Sequence, residues 1–223
     1  EVRMDLAAGS YLLTLDAAGH ETVRLPLYLE RRYEKNRSME IRLPKRGEVP
    51  VGFAYVPPGH FRAGENGPWT VVESGFFLAT HELTWGEYAE FLDSLPEPKR
   101  EEFSPSTDTM GGTRNLLRPF VEKISQWRSY PVSGLSYALA VEYARWRTDR
   151  AGGDVEYRLP TAQEWEYAAR GSDGRPFPWG WKFDPHLCNM VHSKDKMDIS
   201  LWNLESFLEP VGRREAGRSI FGC

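Results

Sequence analysis

The stretch YRLPTAQEWEYAARG, residues 157–171, holds the strongest local structural signal in the chain. Thr161 followed three residues later by Glu164 is a capping-box pair, in which each side chain satisfies a backbone amide at a helix start. Gly171 stands where a C-terminal cap belongs, because glycine tolerates the left-handed turn that ends a helix. A helix is therefore predicted between Thr161 and Gly171, with Trp165 and Ala169 on one face and with Trp165 and Tyr167 supplying large buried surface.

The same grammar recurs upstream. In HELTWGEYAEFLDSLP, residues 81–96, Thr84 and Glu87 repeat the capping box, and Tyr88, Phe91, Leu92 and Leu95 recur at helical spacing. A helix is predicted from about Trp85. Another follows Ser136, where Tyr137, Ala140, Val141 and Ala144 form an apolar stripe, Trp146 packs beside it, and Gly152 and Gly153 end it. VGFAYVPPGHFRAG, residues 51–64, reads as two short strands around a Pro-Pro-Gly turn. The segment Lys99 to Arg128 shows little periodicity and reads as a long excursion.

Before residue 47 the pattern is β. Ser10–Leu15 and Thr22–Leu29 are strand-like runs around the turn residues Ala17, Ala18 and Gly19, and Met39–Leu43 alternates apolar and charged residues as a third, half-buried strand would. Pro44 and Gly47 close this module. The basic residues Arg31, Arg32, Lys35 and Arg37 are interleaved with Glu30 and Glu34 and read as a solvated surface.

Composition bounds the rest. With 223 residues, 40% of them hydrophobic and 13% aromatic, the chain can build a packed core. A net charge of −4 from mixed signs offers no basic face to nucleic acid. No stretch reaches the roughly 18–20 uninterrupted apolar residues that a membrane span needs, so no membrane insertion is expected. Two cysteines, Cys188 and Cys223, are too few for a disulfide framework and leave the redox compartment open. No GxxxxGK[ST], GxGxxG, HExxH or GxSxG string occurs. Glu164 and Glu166 are poor partners for acid–base chemistry, since helix neighbours two apart point in different directions. Arg158 and Arg170 could hold a carboxylate ligand, but pairing with nearby Glu and backbone carbonyls is the simpler reading.

Three segments in order, FFLATHELTWGEYAEFL (76–92), YPVSGLSYALAVEYARW (130–146) and YRLPTAQEWEYAARG, together with PFPWG (176–180) and Cys188-Asn189, resemble the successive signatures of the formylglycine-generating, sulfatase-modifying family. The resemblance implies an α+β, C-type-lectin-like fold with few helices and much ordered loop. GSYLLTLDAAGHETVRLPLYL (9–29) with MEIRLP (39–44) resembles a PEGA-type repeat, a small all-β module found beside larger bacterial domains. The expected organisation is a β module at 1–46 and a sulfatase-modifying-factor-like domain at 47–223.

The family's enzymes oxidise a substrate cysteine to formylglycine, and the resemblance implies a copper-binding cysteine pair near the C-terminal end of that domain. The sequence begins at Glu1 without an initiator Met, which reads as a processed product or one piece of a longer polypeptide, and the resemblance implies that the pair would come after SIFGC. Cys188 and Cys223 do not match it and read as small buried residues. The resemblance also implies a structural calcium site, carried here onto Asn189, the Met190 carbonyl and Asn203, with Asp195 and Asp198 nearby; oxygen ligands suit that hard cation. His186, Cys188 and His192 have a spacing open to zinc, without an evident fourth ligand. Two functions follow. One is a non-catalytic recognition module for a protein, peptide or glycan, attached to a bacterial signalling protein such as a serine/threonine kinase. The other is a copper-dependent formylglycine-generating oxidase, or a related oxygen-dependent enzyme, whose catalytic cysteine segment is missing from this chain.

Overall fold

The structure is a computed structural model that describes residues 3–30, 38–65, 67–108, 114–116, 127–152, 155–190 and 208–223. It is mixed α and β, with short antiparallel pairs, four helices and much irregular chain among the described residues. By packing, the chain divides into two compact units.

The first unit joins residues 1–80, 160–188 and 214–223. It opens with a hairpin of β1 (Gly9–Leu15) and β2 (Val23–Leu29), in the register Leu13 opposite Leu25 and Leu15 opposite Val23. Gly19, at φ 76°, makes the turn that the sequence placed there. Met39–Leu43 forms no strand, contrary to expectation. Its residues alternate between half-buried and exposed, but among the described residues no neighbouring backbone provides a ladder, and alternation alone cannot supply a hydrogen-bonding partner.

β3 (Phe53–Val56) and β4 (Gly59–Arg62) flank the Pro-Pro-Gly turn as expected, yet they do not pair with each other. β4 pairs with β5 (Trp69–Val72) and β3 with β6 (Phe76–Ala79). The core of this unit gathers Val56, Phe61, Val72, Tyr167, Ala168 and Phe221. Tyr167 is its hub, with ring centroids 5.5 Å from Phe61 and 5.3 Å from Phe221.

The second unit, residues 81–159 and 189–213, contains α1 (Trp85–Ser94), α2 (Lys99–Glu102), the pair β7 (Ser106–Asp108) and β8 (Arg114–Leu116), and α3 (Tyr137–Ala151). The described parts of the Lys99–Arg128 excursion thus carry regular structure. Thr84 caps α1 with the full reciprocal box, and Ser136 accepts the Leu139 amide at the start of α3. Tyr88, Phe91, Leu92 and Tyr143 form the core here. Trp146 packs on Phe91 and Tyr143 at 5.5 and 5.6 Å between centroids, as anticipated. The predicted α3 stripe needs correction, because Tyr137 is 78% exposed while Tyr143 and Ala144 are buried. Tyr137 occupies the first helical position, ahead of the turns that meet α1, so helical phase alone could not bury it.

Among the described residues, no helix is long and apolar enough to cross a membrane.

Candidate functional site

In the first unit, α4 (Ala162–Arg170) is the best-defined element near an open groove of about 460 Å³ lined by Pro160, Thr161, Ala162, Trp165, Glu166 and Arg170. Its start is closed by both halves of the capping box. Thr161 Oγ1 accepts the Glu164 amide at 3.2 Å, and the Thr161 amide donates to Glu164 Oε2 at 2.8 Å. Its end is closed by Gly171 at φ 70°, whose amide donates to the Tyr167 carbonyl.

The groove's charged groups are already engaged. Arg170 donates from Nε to the Arg175 carbonyl at 2.5 Å and from Nη2 to the Gly174 and Gly64 carbonyls at 2.9 and 3.0 Å, and it pairs with Glu166 through Nη1. Glu166 Oε1 also accepts the Gly64 amide at 2.6 Å. The charges of this motif therefore act structurally, as the sequence reading held: Glu164 caps, Glu166 and Arg170 tie α4 to the loop at Gly64. Arg158, in the other unit, donates to the Leu159 carbonyl at 3.2 Å.

Trp165 departs from expectation. It is 61% exposed, whereas Tyr167 and Ala168 are buried. The inward stripe of α4 runs through Glu164, Tyr167, Ala168 and Gly171, the i, i+3, i+4, i+7 set, and Trp165 lies about 100° away from its leading member. That phase was present in the sequence; giving every large aromatic a core position obscured it.

A second aromatic feature follows α4. In PFPWG, Phe177 and Trp179 stack at 5.3 Å with an interplanar angle of 6°, and Phe183 lies 5.5 Å from Phe177. Trp179 Nε1 donates to the Lys182 carbonyl at 2.9 Å, and Phe177 and Gly180 exchange backbone hydrogen bonds, so the segment forms a tight corner in which Trp179 is half-buried. Beyond the corner Trp181 and Phe183 are 64% and 51% exposed.

The residues expected to hold metal are less gathered. Asn189 is exposed and Met190 half-buried, while Asn203, like Asp195, Asp198 and His192, lies outside the described residues. An Asn side-chain oxygen and a backbone carbonyl are hard donors of the kind calcium takes, but calcium needs six to eight such ligands, and the described residues do not complete that number. No group of three or more His, Cys, Asp or Glu among the described residues is placed to hold a metal ion. Cys188 and Cys223 are both free and half-buried. Burial pushes the Cys223 thiol up to about 11, opposed by the Ser219 hydrogen bond and the Arg218 charge, so it is a poor source of the thiolate a soft metal requires.

Comparison with known proteins accords with this architecture. The family model described as the sulfatase-modifying factor enzyme 1-like domain matches residues 42–221. The formylglycine-generating enzyme of Thermomonospora curvata is 27% identical over 195 residues, covering 69% of this chain and 62% of that protein. The mouse formylglycine-generating enzyme is 26% identical over 179 residues, covering 62% and 46%. The bovine protein named inactive C-alpha-formylglycine-generating enzyme 2 is 41% identical over 66 residues, covering 29% of this chain and 19% of its own length. This chain thus matches between about a fifth and about three-fifths of each of these relatives. Its matched span, capped helices and short antiparallel pairs place the chain in the sulfatase-modifying factor enzyme 1-like domain family.

Proposed function

We propose that this chain is a non-catalytic recognition or scaffold module of its family, an accessory region of a larger bacterial signalling protein such as a serine/threonine kinase. The observation that carries the reading is Trp165: a large aromatic face open to solvent on a helix capped at both ends, beside charged groups already spent on backbone carbonyls and on each other. An exposed aromatic on a rigid base offers stacking area at little entropic cost, which suits a protein, peptide or glycan ligand. The relative named as inactive supports a non-catalytic role within this family. Peptide and oligosaccharide panels titrated against the chain test it. A saturable ligand should bind at least tenfold more weakly to Trp165→Ala, and equal binding by that variant overturns the assignment.

A second reading is favoured by the matches to formylglycine-generating enzymes over 62% and 69% of the chain. On that reading the native polypeptide continues into a closely spaced cysteine pair, binds copper and takes up oxygen with a cysteine-containing peptide. Peptide mapping of the natural protein distinguishes the two, since a continuation without such cysteines sinks the oxidase. Calcium remains a structural proposal for Asn189 and the Met190 carbonyl. Ca²⁺ at 100 times its Kd would add about 2.7 kcal/mol, read as a rise in melting temperature that Asn189→Ala reduces. No rise in the intact chain ends the idea.

A further inference from the structure

The family match begins at residue 42, so the β1–β2 hairpin lies outside it. An isolated two-stranded hairpin has one ladder and no second layer, and it cannot bury its own apolar face. Yet Val23 is 1% exposed and Leu25 4%. Their burial comes from the rest of the first unit, where β2 lies beside β3 and β4.

The contacts form a continuous seam of different chemistries. Tyr28 stacks on Trp69 of β5 at 6.0 Å and 24°. Arg62 of β4 sits over the same Trp69 ring at 5.2 Å and pairs with Glu30 at the end of β2. Arg24 Nη1 donates to the Ile220 carbonyl at 3.3 Å. A Cβ placed on Gly171 would lie 3.7 Å from Pro26, so the helix-ending glycine is also where the hairpin approaches α4. On the other strand, Ser10 hydrogen-bonds the buried carboxylate of Asp173, which Arg175 holds bidentately at 2.8 and 2.9 Å.

We infer that β4–β5, the C-terminal turn of α4 and the Ser172–Arg175 loop form a docking surface whose occupant is this chain's own N-terminal hairpin. The hairpin closes that surface in cis and is held by Val23 and Leu25 on one face of β2 and by Arg24, Pro26 and Tyr28 on the other. This inference is independent of the function proposed above, because none of its contacts involves Trp165.

The test uses the full chain with a protease site inserted between Glu30 and Ser38. After cleavage, the N-terminal fragment should co-elute with the remainder on gel filtration. Leu12→Ala, at a position 49% exposed on β1, should leave retention unchanged. Leu25→Ala should weaken it at least tenfold and raise hydrogen exchange at least tenfold at the Arg62 and Gly171 amides, which donate to Ser172 and Tyr167 carbonyls outside the hairpin. Tyr28→Ala, at a half-buried position, should weaken retention measurably and keeps the test readable if Leu25→Ala does not fold. Release of the fragment from the otherwise unsubstituted chain overturns the inference. So does retention by Tyr28→Ala and Leu25→Ala equal to that of the parent, with exchange at the reporter amides unchanged.

Discussion

Gly59→Ala isolates how the core of the first unit is built. A methyl group at position 59 would lie 2.8 Å from Cζ and 3.4 Å from Cε2 of Tyr167, with the phenolic oxygen closer still. Tyr167 cannot swing away, because it is fully buried between Phe61 and Phe221. Overpacking a core costs about 1–3 kcal/mol, and a rigid ring blocking the methyl puts this site near the top of that range, at about 3 kcal/mol. Tyr167→Phe by itself should be nearly neutral, since its buried oxygen has no partner among the described residues and burial has pushed the phenol's ionisation upward. In the double variant the oxygen is gone but Cζ still obstructs, so about half the penalty should return. The coupling energy should therefore be about 1–2 kcal/mol. Urea unfolding followed by tryptophan fluorescence measures all four corners of this cycle. A Gly59→Ala variant within about 0.5 kcal/mol of the parent, or a cycle without coupling, refutes the reasoning.

Three further outcomes follow from other parts of the molecule. Thr161→Ala removes the side-chain acceptor at the start of α4 and should lower stability by about 1 kcal/mol by thermal melting, with Glu164→Ala adding less than its own effect because the two share one box. Burial alone would raise the Asp173 carboxyl, but the Arg175 hydrogen bonds and charge, with the Ser10 hydroxyl, outweigh it and hold the group below its ordinary 3.8. A depressed folded-state value means stability that is present above the unfolded value and lost as pH falls through the folded one. Asp173→Asn should therefore flatten the stability loss below about pH 4, and an unchanged acid limb contradicts the pairing. With the thiol at about 11, only about one Cys223 in a thousand is thiolate at pH 8, so iodoacetamide should label it at least tenfold more slowly in the native protein than in denaturant.

Much of the local structure was legible in the sequence because its causes are local. Thr84, Ser136 and Thr161 cap the three longest helices where the hydroxyl-bearing residues predicted, since a cap involves only the next three residues. Gly19 and Gly171 mark turns for a similar reason: a backbone that needs positive φ selects glycine whatever surrounds it. The ordered string of motifs also carried the family and the mixed fold, as the match over residues 42–221 bears out. Which strand pairs with which lay beyond it. Phe53–Val56 and Gly59–Arg62 are two residues apart in sequence and belong to different sheets, because β pairing satisfies hydrogen bonds with backbone brought from elsewhere. Met39–Leu43 shows the converse, a strand-like alternation with no ladder beside it among the described residues. For the candidate site, sequence supplied Thr161, Glu164, Glu166 and Arg170 and the structural roles of their charges. The outward turn of Trp165 was already in the helical phase of α4, but the aromatic surface at Trp181 and Phe183 and the burial of Val23 and Leu25 were decided only by tertiary structure, because burial depends on what another part of the chain brings to cover a face.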